Sequence, residues 1–159
     1  LDCGCGGGAN LRKLLRKCPE GRVCGVDYSE ISVQKSRKLN RKAIEAGLCE
    51  VLQASVTALP FESARFDRVT AFETVYFWPE LKRSFREIFR VLKPGGMFLI
   101  CNECGGDHAG DEKWTRKIDG MTIYKDVQLK AALEQAGFRA VQTHRSERGW
   151  LCVTARRSG

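Results

Sequence analysis

The chain has 159 residues, 43% of them hydrophobic and 29% charged, which suits one domain with a packed core and excludes a disordered segment. Its longest unbroken apolar run, Met97 to Cys101, is far too short to span a bilayer, and no signal-peptide pattern is visible. The net charge of +8 comes from Lys and Arg interleaved with core-facing apolar residues, which reads as solvated helix faces; a nucleic-acid surface is the less favoured alternative.

In chain order, Asp2 followed by Gly4, Gly6 and Gly8 reads as a strand that turns sharply into a helix. The missing Cβ atoms let the backbone approach an adenosyl group closely. Leu11, Leu14, Leu15 and Cys18 then recur at i, i+3, i+4 and i+7, an amphipathic helix stopped by Pro19-Glu20-Gly21. Residues 22–26 form a short buried strand ending in Asp27. A carboxylate about 20 residues past a glycine loop is placed to accept hydrogen bonds from ribose hydroxyls. Together these features describe a nucleoside-cofactor site; a plain turn, and an Asp27 that only caps the next helix, are the bland alternatives.

Ser29 is the expected N-cap of a helix running to about residue 46, with Gly47 as its stop. Strands follow over 50–53 and 66–72, separated by a loop holding Leu59-Pro60-Phe61, which serves either packing or the site. Leu81, Phe85, Ile88, Phe89 and Leu92 space a helix that ends before Pro94-Gly95-Gly96. The uniformly apolar 97–101 is expected as a strand buried on both faces. A helix over 127–136 ends at Gly137. Strands over 140–144 and 150–155 are joined by a link short enough only for an antiparallel pair. The expected architecture is α/β: a Rossmann-like three-layer sandwich whose mostly parallel sheet closes with a C-terminal antiparallel hairpin, as a single domain over 1–159.

Eight cysteines raise the question of metal or disulfides. Cys3, Cys5, Cys24 and Cys101 fall in or beside apolar strands and Cys18 on an apolar helix face, where a thiol acts as a small hydrophobe. Cys101 and Cys104 have C-x-x-C spacing, but no second pair follows and neither His108 nor His144 completes a ligand set. No metal site is expected, and the thiols point to a reducing cytoplasm, with Cys104 the one reactive candidate.

Four signatures, taken in order, resemble a class I S-adenosylmethionine-dependent methyltransferase of the small-molecule group that includes the ubiquinone/menaquinone biosynthesis C-methyltransferases. They are Leu1-Asp2-Cys3-Gly4-Cys5-Gly6-Gly7-Gly8, Val26-Asp27-Tyr28-Ser29, Leu59-Pro60-Phe61 with Phe66-Asp67, and Phe89-Arg90-Val91-Leu92-Lys93-Pro94-Gly95-Gly96. Leu133-Glu134-Gln135-Ala136-Gly137-Phe138 before the final hairpin fits as well. The resemblance implies S-adenosyl-L-methionine as cofactor, S-adenosyl-L-homocysteine as product, and in-line displacement of the methyl by a small-molecule acceptor. It also implies roles. Asp2 and the backbone of Gly4, Cys5, Gly6 and Gly8 would hold the methionine portion. Asp27 would hold the ribose and Tyr28 would lie against adenine. Ser55, where Asp is common, and the Val56 amide would meet the adenine edge. Phe72 and Glu73 would face the reacting methyl.

Glu73, Tyr76, Glu103 and His108 follow the fourth and fifth strands and are the candidates for a catalytic base, with none preferred. Trp114, Met121 and Tyr124 either wall a hydrophobic acceptor or pack on the sheet. The resemblance further implies that most of the first strand and one or more helices ordinarily precede the glycine signature, so this chain is expected to be an N-terminally truncated fragment. Two other functions compete. Gly4-x-Gly6-x-x-Ala9 also fits a nicotinamide-dependent oxidoreductase, and the basic surface fits a non-catalytic nucleic-acid-binding module of the same fold.

Overall fold

The computed structural model describes residues 1–107 and 110–159. Among them, seven strands and six α-helices follow one another as β1 (Asp2–Cys3), α1 (Ala9–Lys17), β2 (Val23–Asp27), α2 (Glu30–Leu39), α3 (Arg41–Glu45), β3 (Cys49–Gln53), β4 (Phe66–Phe72), α4 (Leu81–Val91), β5 (Leu92–Asn102), α5 (Glu112–Lys117), α6 (Asp126–Gln135), β6 (Phe138–Arg145) and β7 (Leu151–Arg157). A 3₁₀ turn, Val75–Phe77, leads from β4 toward α4. The strands form one sheet in the order β3-β2-β1-β4-β5-β7-β6. The first five run parallel, and β7 is antiparallel to both β5 and β6. The order reverses between β1 and β4, and open α/β sheets bind ligands in the crevice at the carboxyl ends beside such a reversal. No described helix is long and apolar enough to cross a membrane.

Two apolar clusters hold the layers together. On one face, Phe85 and Ile88 of α4 and Leu129 and Leu133 of α6 pack with Val69, Ala71, Phe98, Ile100 and Val153. Phe98 anchors this layer, 5.8 Å from Phe85 and 6.0 Å from Phe138 between ring centres. On the other face, Leu11 of α1 and Val33 of α2 pack with Cys5, Val23, Cys49 and Val51. That second cluster stops at the β1–β2–β3 end of the sheet. Over β4, β5 and β7 the same face carries no cluster among the described residues. Met97, Leu99 and Cys101 are therefore only half-buried, while Phe98, Ile100 and Asn102 are fully covered. The expectation of a fifth strand buried on both faces is corrected accordingly: its composition is uniformly apolar, but its helical cover lies on one side.

Further boundaries differ from the sequence reading. The helix after Ser29 divides at Asn40, whose buried amide donates to the Gly8 carbonyl at 3.1 Å and the Ser36 carbonyl at 3.0 Å. Asn40 thereby ties α2 to the glycine loop, and Ser29 caps the helix as expected, accepting from the Ser32 amide at 3.3 Å. Leu92 begins β5 instead of closing α4, so Pro94-Gly95-Gly96 falls within a strand irregularity between Phe66 and Arg68 of its neighbour. The guanidinium of Arg157 caps the end of α4, donating to the carbonyls of Phe89 at 3.0 Å and Arg90 at 2.9 Å.

The short β1 occupies the centre of the sheet. Asp2 pairs with Gly25 and Thr70, and Cys3 with Val26. The Leu1 backbone nitrogen donates to the Arg68 carbonyl at 2.9 Å.

Candidate active site

The carboxyl ends of β1, β2, β3 and β4 open into one cleft of about 760 Å³. Its β2 side is Val26, Asp27 and Tyr28 with Ser29 and Ser32 of the following turn and helix; Ala54, Ser55 and Val56 come from beyond β3. Gly4 forms the floor, and Glu73, Thr74, Phe77, Trp78 and Pro79 form the opposite wall. Five sequence-predicted cofactor residues thus meet here: Gly4, Asp27, Tyr28, Ser55 and Val56. Asp2, Cys5, Gly6, Gly8 and Phe72 are not in the lining.

Asp27 joins the glycine loop to the turn after β2. Its Oδ2 accepts from the Gly6 amide at 2.9 Å and its Oδ1 from the Ser29 amide at 3.0 Å. A carboxylate has about four acceptor positions, so two bonds leave it capacity toward the cleft. The helix-capping alternative is partly realised, since Asp27 organises the turn while Ser29 makes the cap itself. Tyr28, 77% exposed, stands at the rim. The Ser55 hydroxyl bonds with Thr57, 2.8 Å between oxygens.

Asp2 is 1% exposed. Its Oδ1 accepts from the Thr70 hydroxyl at 2.7 Å, and its Oδ2 has no partner. Burial raises its pKa to about 6, with the Thr70 hydrogen bond opposing. A buried carboxylate oxygen without a donor is costly unless a cation or donor reaches it. An unpaired carboxylate acceptor of this kind fits the ammonium of an amino-acid-bearing cofactor.

The glycines serve different purposes. Gly4 has φ +77, and a Cβ there would collide with Thr74 Oγ1. Its small size is thus demanded by the chain crossing over it from beyond β4. Gly6, φ +52, has nothing within 4 Å of where a Cβ would stand and leaves the loop open on the ligand side. Cys5 departs from its expected role in that its side chain enters the α1–α2 core, with Sγ 4.0 Å from Ser36 Oγ. Its amide is taken by the Val26 carbonyl at 3.0 Å, and burial pushes the thiol up to about 12.

Of the base candidates among the described residues, Glu73 alone is in the cleft wall. It has φ +57, an uncommon conformation for a residue with a side chain. Its Oε1 accepts from the Glu103 amide and its Oε2 from the Tyr76 hydroxyl at 3.4 Å. Burial raises the Glu73 pKa, with the Glu103 amide pulling the other way. Tyr76 is buried behind it, its hydroxyl accepting from the Cys104 amide at 2.8 Å, and burial raises its pKa. Glu103 contributes through its backbone, and His108 lies outside the described residues.

Sequence reasoning missed Thr74, Phe77, Trp78 and Pro79. The available signal was the aromatic density of Tyr76-Phe77-Trp78 directly after a strand end. Trp78 is held by its indole N–H on Thr74 Oγ1 at 3.2 Å and by stacking 6.2 Å from Phe98. Leu59-Pro60-Phe61 proves to be packing: the α4 pair Glu87–Arg90 binds the Leu59 amide and the carbonyls of Leu59 and Phe61. Cys104 is buried, and no group of His, Cys, Asp or Glu among the described residues is arranged to hold a metal.

The chain is 35% identical over 151 residues to a cycloartenol-C-24-methyltransferase of Oryza sativa subsp. japonica, covering 89% of this chain and 43% of that protein. It is 32% identical to a cycloartenol-C-24-methyltransferase of Arabidopsis thaliana, covering 89% and 44%. The chain therefore spans less than half the length of these curated relatives. Among solved structures, the putative methyltransferase of a Haloferax volcanii activator complex superposes with a TM-score of 0.90 at 23% identity, covering 99% of this chain and 81% of the other. Geranyl diphosphate C-methyltransferase of Streptomyces coelicolor A3(2), solved with S-adenosyl-L-homocysteine, gives 0.82 at 16% identity, covering 98% and 72%.

Dinucleotide-binding sheets of the 3-2-1-4-5-6 order have no antiparallel strand inserted before the last. Here β7 lies between β5 and β6, and a family model for the methyltransferase domain matches residues 1–100. The chain belongs to the methyltransferase domain family.

Proposed function

We propose that this protein transfers a methyl group from S-adenosyl-L-methionine to carbon of a small isoprenoid-type acceptor. The observation that carries this reading is a single cleft with two unlike walls, the Asp27 carboxylate on one and Glu73 with Phe77, Trp78 and Pro79 on the other. The acceptor class is supported by the names of the relatives, which include cycloartenol and squalene methyltransferases. When bound, the cofactor supplies an electrophilic methyl on a sulfonium, a leaving group that needs no protonation.

The chain's own residues bind, orient and shield. Asp2, outside the lining, holds the unpartnered Oδ2 that the ammonium would satisfy on entering the site, Asp27 accepts from the ribose hydroxyls, and Tyr28 covers the adenine. Ser55 and the Val56 amide address the adenine edge. Phe77, Trp78 and Pro79 hold an apolar acceptor against the methyl; orientation of this kind is worth roughly 7–11 kcal/mol. Glu73 balances positive charge developing on the acceptor and takes up the proton that carbon methylation releases. Its burial, which raises its proton affinity, suits that task. The eight free cysteines support a reducing, cytoplasmic setting as part of the same reading.

The test is incubation with methyl-labelled S-adenosylmethionine and a panel of isoprenoid alkenes, sterols, phenols and amines, read by product mass. Label on an alkene carbon supports the proposal. Label only on phenols or amines overturns the acceptor class. Tight NADH binding without any response to S-adenosylhomocysteine overturns the cofactor.

A further inference from the structure

On the part of the sheet face that carries no apolar cluster among the described residues, strand register lines up Phe72, Cys101, Cys152 and His144 across β4, β5, β7 and β6. Cys101 and Cys152 are directly opposed on antiparallel strands, and their sulfurs lie 2.9 Å apart. Both thiols are half-buried, whereas Cys3, Cys5, Cys24, Cys49 and Cys104 are buried and Cys18 is exposed at the end of α1. Two sulfurs already in contact need to close by only about 0.9 Å to reach a covalent S–S bond of about 2.05 Å.

We propose that Cys101 and Cys152 are an oxidisable dithiol, which a hydroperoxide converts into a disulfide joining β5 to β7. One thiol of the pair, as its thiolate, attacks the peroxide oxygen and the O–O bond breaks. A sulfenic acid forms on that sulfur, and the departing oxygen leaves as alcohol or water after taking a proton. The other sulfur then displaces the sulfenic hydroxyl, which leaves as water with that thiol's proton. In sum, two thiols and one hydroperoxide give one disulfide, one alcohol and one water, the sulfurs being oxidised and the peroxide reduced. The neighbouring sulfur traps the sulfenic acid before further oxidation. The Cys101 carbonyl accepts from the Glu73 amide at 3.0 Å, so the new bond forms one hydrogen bond from the cleft wall.

This inference rests on register and thiol contact, independently of the methyl-transfer reading, and its test needs no turnover. The protein carrying Cys18→Ser, which removes the exposed competitor, is treated with hydrogen peroxide. Thiols are counted after denaturation, and peptides are mapped by mass without reduction. The expected result is loss of two thiols per chain and a Cys101–Cys152 cross-linked peptide, both reversed by a dithiol reductant. Adding Cys152→Ser, or separately Cys101→Ser, abolishes the cross-link while circular dichroism shows the fold intact. The proposal is overturned if the two thiols persist while buried cysteines oxidise, if either stops at sulfinic acid, or if the cross-link joins another pair or two chains.

Discussion

The two walls of the cleft are built on opposite principles. On the β1–β2 side, polar groups are pre-positioned by hydrogen bonds: Asp27 holds the Gly6 and Ser29 amides, and Asp2, outside the lining, is pinned by the Thr70 hydroxyl. On the β4 side a single carboxylate, Glu73, stands beside three apolar residues, Phe77, Trp78 and Pro79. The polar wall suits a ligand of fixed shape and charge, recognised by donors and acceptors. The apolar wall suits a ligand recognised by surface and volume, where small changes in side chain shift preference instead of abolishing binding. The walls touch where Gly4 passes beneath Thr74, so the geometry of one constrains the other.

The strongest challenge to this division between walls is Asp27→Ala. It removes a charged acceptor from two backbone amides and from the ribose, at about 1.5–3 kcal/mol per charged hydrogen bond. The dissociation constant for S-adenosylhomocysteine, measured by calorimetry, should rise about 1,000-fold, or about 4 kcal/mol. An affinity within a few-fold of the parent would show that the polar wall does not bind the cofactor.

Gly4→Ala tests the contact between the walls. The new Cβ would run into Thr74 Oγ1 from a left-handed backbone conformation. Overpacking and backbone strain together should destabilise the protein by about 3 kcal/mol in urea unfolding. Adding Thr74→Ala should recover part of that loss; no recovery would place the strain elsewhere.

Asp2 should reveal itself through pH. Its folded pKa of about 6 lies above the reference value of 3.8, so the folded state binds this proton more tightly. Stability of the ligand-free protein contributed by this group is present at low pH and is lost as pH rises from about 4 to about 6, by no more than about 3 kcal/mol. Asp2→Asn should flatten this dependence, stabilise the ligand-free protein near pH 7, and weaken S-adenosylhomocysteine about tenfold. Thermal melts across pH check the first two outcomes. A stability curve unchanged by the substitution would remove the case for a strained carboxylate.

The smallest effect belongs to the apolar wall. Phe77, 43% exposed at the cleft, should contribute about 1 kcal/mol to acceptor binding. Phe77→Ala should raise the acceptor KM about fivefold and leave S-adenosylhomocysteine affinity unchanged. A change in both would merge the two walls into one site.

The polar wall was legible because its residues are close in sequence and bound by local chemistry. A strand, a glycine turn and an acidic strand end within residues 1–27 need only backbone rules to be placed. The apolar wall was not, because no local rule marks Phe77, Trp78 and Pro79 as site residues; their place depends on distant contacts, Trp78 on Phe98 and Thr74 over Gly4. Tyr76 and Glu103 fell at the expected strand ends, but only the tertiary arrangement turned Glu73 into the cleft and left its two companions as supports.

Local sequence was enough to dictate the parallel order of strands and helices, the glycine turn and the acidic end of the second strand. Periodicity, turn residues and capping act over a few neighbouring positions. Packing between distant segments settled which carboxylate faces the ligand, which face of β5 is covered, and that Cys101 meets Cys152 instead of Cys104. Those outcomes depend on strand register and helix cover, set by side chains far apart along the chain.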